Sequence, residues 1–153
     1  MQDEQRKLRQ LAAATRLRTL QREKAALSHA ACLRRVRTVE RLLEQEHQRY
    51  AQLQSSFEQQ GRAGVALDPA QYEQRLLAQS QGFTALKAHV QALGEVQEEE
   101  RACRALLGRR TLEVQVTEKA FNTVLQGLQG YLRDQESIDI FDAQQARGVS
   151  HGA

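Results

Sequence analysis

The sequence has few of the residues that interrupt helices or fill large cores. Proline occurs once in 153 residues, tryptophan is missing, aromatic residues make up 5%, and no glycine precedes Gly61. Proline and glycine are the strongest helix breakers, so nothing interrupts a first helix before the middle of the chain. At 1.5 Å per residue that helix would be about 85 Å long, which argues against a compact globular domain.

Other absences bear on location and chemistry. The sequence has no run of about eighteen apolar residues that could span a membrane, and its charged start does not resemble a secretory signal. Two cysteines do not make a disulfide framework. Neither a glycine-rich phosphate loop nor a nucleophile elbow is present. We therefore expect a cytoplasmic protein that is not an enzyme and binds no cofactor.

Apolar residues repeat with heptad spacing on both sides of a short glycine-containing segment. If the chain folds back there, Leu43 lies level with Leu86, and both patterns contract to successive spacings of three at the same level. This matching irregularity predicts an all-α fold, a long antiparallel two-helix coiled-coil hairpin. Its predicted seam consists of Leu33, Val36, Val39, Leu43, Tyr50, Leu53, Phe57, Leu76, Phe83, Leu86, Val90, Leu93 and Val96.

The segment between the two patterns has the composition of a helix–turn–helix junction. Gly61 and Gly64 suit a left-handed helix exit, and Asp68 followed by Pro69 suits an N-cap and the first helical position. We predict helix one over about 2–60, a turn over 61–68 and helix two over about 69–138. The hairpin forms a single domain, 1–143, followed by a disordered tail, 144–153.

The second helix is predicted to extend past the start of the first. In the same pairing Met1 lies level with Leu128, so the chain from Leu128 to Asp142 should overhang without an internal partner. The overhang contains Tyr131, Ile138 and Phe141. An uncovered apolar stripe of this kind indicates a partner-binding surface or a self-association seam.

Charge is divided unevenly between the two halves. Residues 1–67 contain 13 Lys and Arg against 7 Asp and Glu, and residues 68–153 contain 9 against 12. The basic excess includes Arg16, Arg18 and Arg22. It can simply complement the second helix, or it can bind an acidic partner surface.

The predicted pairing separates the two cysteines along the hairpin. His29 and Cys32 are one helical turn apart, but Cys103 lies level with Ala26, six residues from Cys32. That axial offset of about 9 Å exceeds the Cα separation that a disulfide tolerates, and it also disfavours convergence on a zinc ion. We therefore expect neither a disulfide nor a metal site.

Two other classes of function remain as alternatives. A basic helix followed by heptads is also seen in nucleic-acid-binding proteins, although the heptads here pair within the chain and no aromatic residue precedes Tyr50. The other alternative is a generic coiled-coil adaptor or spacer, dimeric through its overhang.

Four features of the chain together are typical of one known family: the total length, the basic first helix, the Gly/Asp-Pro turn near the middle and a C-terminal run. That run extends from Leu112-Glu113-Val114 through Glu118-Lys119 to Gln135-Glu136-Ser137-Ile138-Asp139. In these features the chain resembles the FliJ/YscO family, the cytoplasmic stalk proteins of flagellar and virulence type III secretion machines.

The resemblance implies a function without catalysis and a location at the inner-membrane secretion apparatus. The paired chain ends would enter the hexameric export ATPase, the turn end would face the export gate protein, and secretion chaperones are further partners. Contact with the membrane would be indirect only, and nucleic acid is not expected to bind. On this basis the ATPase contacts would be Arg16, Arg18, Arg22, Leu128, Tyr131, Ile138 and Phe141, and the gate contacts Val65, Leu67 and Tyr72.

Overall fold

The computed structural model describes residues 2–64 and 68–151 of the chain. Two helices account for almost all of them: α1 spans Gln2–Arg62 and α2 spans Pro69–His151. The helices pack against each other as a hairpin, and no strand occurs in the described residues. The predicted all-α class and helical hairpin are confirmed.

The junction residues behave as their chemistry suggests. After α1 ends at Arg62, the Ala63 amide still donates to the Gln59 carbonyl at 3.0 Å. Gly64 then adopts a φ of +66°, a left-handed conformation that is costly for residues with a Cβ. Beyond the turn, the Tyr72 amide donates to the Asp68 carbonyl at 3.1 Å, and α2 begins at Pro69 as predicted.

The far end of α2 differs from the sequence expectation. The predicted helix end near residue 138 is wrong, because α2 continues to His151, and residues 144–151 are helical instead of forming a disordered tail. This segment contains no proline, and Ala143, Ala146 and Arg147 are good helix formers. Gly148 is the only strong helix breaker among residues 139–151, and one glycine costs only about 1 kcal/mol.

Contacts divide the chain into two compact units where a single domain was expected. We call Met1–Lys24 with Gly108–Ala153 the terminal unit, and Ala25–Leu107 the turn unit. Each unit contains a part of α1 and a part of α2. In the terminal unit Val114 is fully buried, and in the turn unit the most buried apolar residues are Ala25 and Cys32.

The predicted seam of the turn unit corresponds to the observed face on α1 but only partly on α2. Every predicted α1 position is half-buried, as are Leu86, Leu93 and Val96 on α2. The placement of Leu76, Phe83 and Val90 in the seam is wrong, because these side chains are about half exposed.

Small residues form the half-buried face of α2 where large apolar residues were predicted. Ala78, Gly82 and Ala85 are half-buried, and a Cβ at Gly82 would lie 2.9 Å from Tyr50 Cδ2. The helix backbone therefore approaches the Tyr50 ring closely. Large apolar side chains define a heptad pattern, so the predicted seam contains neighbouring large residues of α2 in place of the small residues through which the helix packs.

Candidate partner-binding surfaces and the interhelical polar cluster

The C-terminal part of α2 presents apolar side chains to solvent. Every residue from Tyr131 to Val149 is exposed, and Tyr131, Ile138 and Phe141 are 46%, 53% and 58% exposed. Tyr131 and Ile138 follow Val124 at successive intervals of seven, so they continue one helix face. We call Tyr131, Ile138 and Phe141 the C-terminal apolar stretch.

Leu128 does not belong to this exposed surface. Its relative exposure is 9%, so its prediction as an uncovered contact residue is wrong. The overhang was expected to begin at Leu128, whereas the terminal unit still buries the α2 face at this position. Burial of the α2 face therefore ends between Leu128 and Tyr131.

The three predicted arginines lie in the terminal unit but differ in their surroundings. Arg16 is exposed and has no ion pair among the described residues. Arg18 Nη1 donates to Glu113 Oε2 at 2.9 Å, an oxygen that also accepts from Arg110 Nη1 at 3.0 Å. The hydrogen bond from Arg110 and the charges of both arginines lower the pKa of Glu113. Arg18 thus holds α1 to α2, while Arg16 and the half-buried Arg22 form no such link.

The predicted gate contacts are only partly visible. Tyr72 is 53% exposed near the start of α2. Val65 and Leu67 lie outside the described residues.

A buried carboxylate organises the middle of the turn unit. Glu100 is 6% exposed, and its Oε1 is 2.9 Å from His29 Nε2 on α1. Arg104, one turn further along α2, donates to both carboxylate oxygens. Hydrogen bonds from Arg104 and His29 lower the pKa of Glu100, because they favour the ionised carboxylate more than burial opposes it.

The two cysteines meet across the helices, contrary to the sequence expectation. Cys32 Sγ and Cys103 Sγ are 2.7 Å apart, both as free thiols. The predicted register is kept where His29 meets Glu100, at the level that the Leu43–Leu86 pairing defines. The two sulfur atoms still meet because helical side chains lean toward the N-terminus of their own helix, which brings side chains of antiparallel helices together across an axial offset.

Charged groups surround the cysteine pair. Arg35 Nη2 donates to Cys32 Sγ at 3.1 Å and lies 3.5 Å from Glu99 Oε2. The hydrogen bond with Cys32 and burial raise the pKa of Cys103. Sequence reasoning missed this cluster, although one signal was available: His29 and Cys32 on α1 have the same spacing as Glu100 and Cys103 on α2.

Within residues 2–64 and 68–151, no group of three or more His, Cys, Asp or Glu side chains converges closely enough to hold a metal ion. In the same part of the chain, neither helix contains a segment apolar enough to cross a membrane. Comparisons with known family models, with curated proteins and with solved structures find no match.

Proposed function

We propose that the protein is a non-enzymatic stalk of a type III secretion export apparatus in the cytoplasm. The ends of its helices bind the hexameric export ATPase, and the turn end, through Tyr72, faces the export gate. Secretion chaperones are proposed as further partners. The observation that carries the assignment is the composition of the terminal unit, which combines exposed basic side chains on α1 with an exposed apolar stretch on α2.

The apolar stretch supports binding to a partner. Side chains with about half of their surface in solvent are common singly on protein surfaces, but several on one helical segment indicate an interaction site. Tyr131, Ile138 and Phe141 lie within eleven residues of α2, among acidic residues such as Asp134 and Asp139. This segment would contact apolar and basic side chains of a ring subunit.

The arginines support a second contact. Arg16 is exposed without an ion pair among the described residues, and Arg22 is half-buried nearby on the same helix. Such groups remain available to acidic side chains of a partner, whereas Arg18 is already engaged by Glu113. Two contacts of different chemistry would fix the orientation of the stalk in the ring.

The proposed mechanism requires no chemistry in the stalk. A single asymmetric hairpin makes unequal contacts with the otherwise equivalent ATPase subunits. A contact that differs between nucleotide states shifts the populations of those states by its differential free energy. The stalk would in this way couple ATP hydrolysis to export.

Charge reversal tests the basic contact. We expect Arg16→Glu combined with Arg22→Glu to abolish stimulation of the proposed partner ATPase, because both charges then repel acidic ring residues. The control is Arg37→Glu combined with Arg41→Glu, exposed residues of the turn unit, which changes net charge equally. Unchanged stimulation by the first variant would refute the assignment. Arg18 is left intact because its loss would also disturb α1–α2 packing.

Removal of the apolar stretch tests the other contact. We expect Ile138→Ser combined with Phe141→Ser to prevent co-purification with the ATPase while the helix content stays the same. Val116→Ser is the control, since Val116 is 68% exposed in the same unit. Co-purification of all variants alike would contradict the proposed surface.

The same exposed stretch also favours the second candidate, a dimeric coiled-coil spacer. Analytical ultracentrifugation separates the two functions. A stalk should sediment as a monomer at micromolar concentration, and a spacer as a stable dimer that Ile138→Ser with Phe141→Ser converts to monomer.

A further inference from the structure

The cysteine pair of the turn unit has the geometry of a redox-active dithiol. Cys32 and Cys103 lie on opposite helices, separated by 71 positions in the chain, yet their sulfur atoms are 2.7 Å apart. We propose that they form a reversible disulfide that covalently links α1 to α2 within the turn unit when the chain meets a low-molecular-weight disulfide oxidant.

Formation of the disulfide requires only a small movement of the two sulfur atoms. A disulfide bond requires sulfur atoms about 2.05 Å apart, so the two atoms must approach by about 0.7 Å from their present separation. Side-chain torsions of two cysteines can supply this without unpacking the helices. The unfolded chain, in contrast, must first bring together residues that lie far apart in sequence.

The two sulfurs differ in exposure, and this sets the order of events. Cys32 is 2% exposed, whereas Cys103 is half-buried, so an oxidant in solution reaches Cys103 first. Cys32 then lies beside Cys103 as the attacking group. Arg35 donates a hydrogen bond to Cys32 Sγ and so places a positive charge beside the sulfur that must start the attack as a thiolate.

The reaction balances with oxidised glutathione as the oxidant. The Cys103 thiolate attacks one glutathione sulfur, a mixed disulfide forms, and one glutathione thiolate leaves. The Cys32 thiolate then attacks Cys103 Sγ and displaces the second glutathione. Two protein thiols lose two electrons and two protons in total, and one oxidised glutathione becomes two reduced molecules.

Equilibration of the full chain in glutathione redox buffers tests the proposal. We expect intact mass spectrometry to show loss of two hydrogen atoms per chain, with no added glutathione and no dimer on non-reducing gels. The folded pair should oxidise about 100-fold more readily than the same pair in urea, because folding supplies the proximity. Similar oxidation in both conditions would overturn the proposal, and so would disulfide-linked dimers as the main product.

Single substitutions identify the two roles. Cys32→Ser should retain one stable glutathione on Cys103, whereas Cys103→Ser should react slowly, because the remaining Cys32 is buried. Arg35→Gln should lengthen the life of the mixed disulfide several-fold relative to Arg34→Gln, an exposed neighbour without a contact to sulfur. Equal reactivity of the two single-cysteine variants would refute the order of attack, and equal lifetimes would refute the role of Arg35.

The melting temperature provides an independent readout. A disulfide that closes a loop of this length should raise the melting temperature of the chain by about 10 °C, and a reductant should reverse the increase. A lower melting temperature after oxidation would show that the bond distorts the hairpin, and it would overturn the proposal.

Discussion

Replacement of Gly82 tests how closely α2 approaches Tyr50 of α1. Helical glycine costs about 0.5–1 kcal/mol relative to alanine, so Gly82→Ala and Gly94→Ala should both gain this amount from helix propensity. Their surroundings differ. A Cβ at Gly94 meets no atom within 4 Å, whereas a Cβ at Gly82 lies 2.9 Å from Tyr50 Cδ2 and 3.4 Å from Cε2.

The clash sets the size of the expected difference. Ordinary carbon contacts begin near 3.5 Å, so the Tyr50 ring must move by roughly half an ångström or the helices must separate slightly. Overpacking of this kind costs about 1–3 kcal/mol. We therefore expect Gly94→Ala to stabilise the chain by about 1 kcal/mol, and Gly82→Ala to be less stable than Gly94→Ala by at least about 1 kcal/mol.

Urea denaturation followed by circular dichroism at the helix band measures both variants. A double-mutant cycle tests whether the Tyr50 ring causes the difference in stability. In a Tyr50→Ala background, Gly82→Ala should become stabilising by about 1 kcal/mol, because the obstructing ring is absent. If Gly82→Ala stabilises the chain as much as Gly94→Ala does, the close approach of α2 to Tyr50 is refuted.

Two further predictions concern burial and protonation. Val114→Ala should destabilise the terminal unit by about 2 kcal/mol through lost burial and a cavity, against less than about 0.5 kcal/mol for the exposed Val116→Ala; equal effects in thermal unfolding would contradict the burial of Val114. Because the folded-state pKa of Glu100 lies below its ordinary value of 4.5, its stabilising contribution is present above pH 4.5 and disappears as the pH falls through the lowered value. Melting temperatures of Glu100→Gln should accordingly fall less between pH 6 and pH 3 than those of Glu95→Gln, an exposed control, and parallel curves would contradict the assignment.

The sequence predicted the class and the turn because both depend on local chemistry. Long stretches without proline or glycine favour helices, and the Gly64 and Asp68-Pro69 signals act over a few residues. The exposure of the C-terminal apolar stretch was also expected, since it followed from the unequal lengths of the helices on either side of the turn. The end of α2 was missed because helix termini without strong breakers have no clear local signal.

The sequence by itself determined two long helices, the place where the chain turns back and the half-buried face of α1. Only the tertiary structure decided the face of α2, the burial of Leu128 and the meeting of Cys32 with Cys103. The physical reason is that heptad spacing fixes which residues share a stripe, but not how closely two backbones approach or how side chains lean across the interface. The approach of the backbones and the direction of the side chains depend on small residues such as Gly82 and on the tilt of each side chain. A shift of a few ångströms decides whether two thiols are far apart or close enough to react.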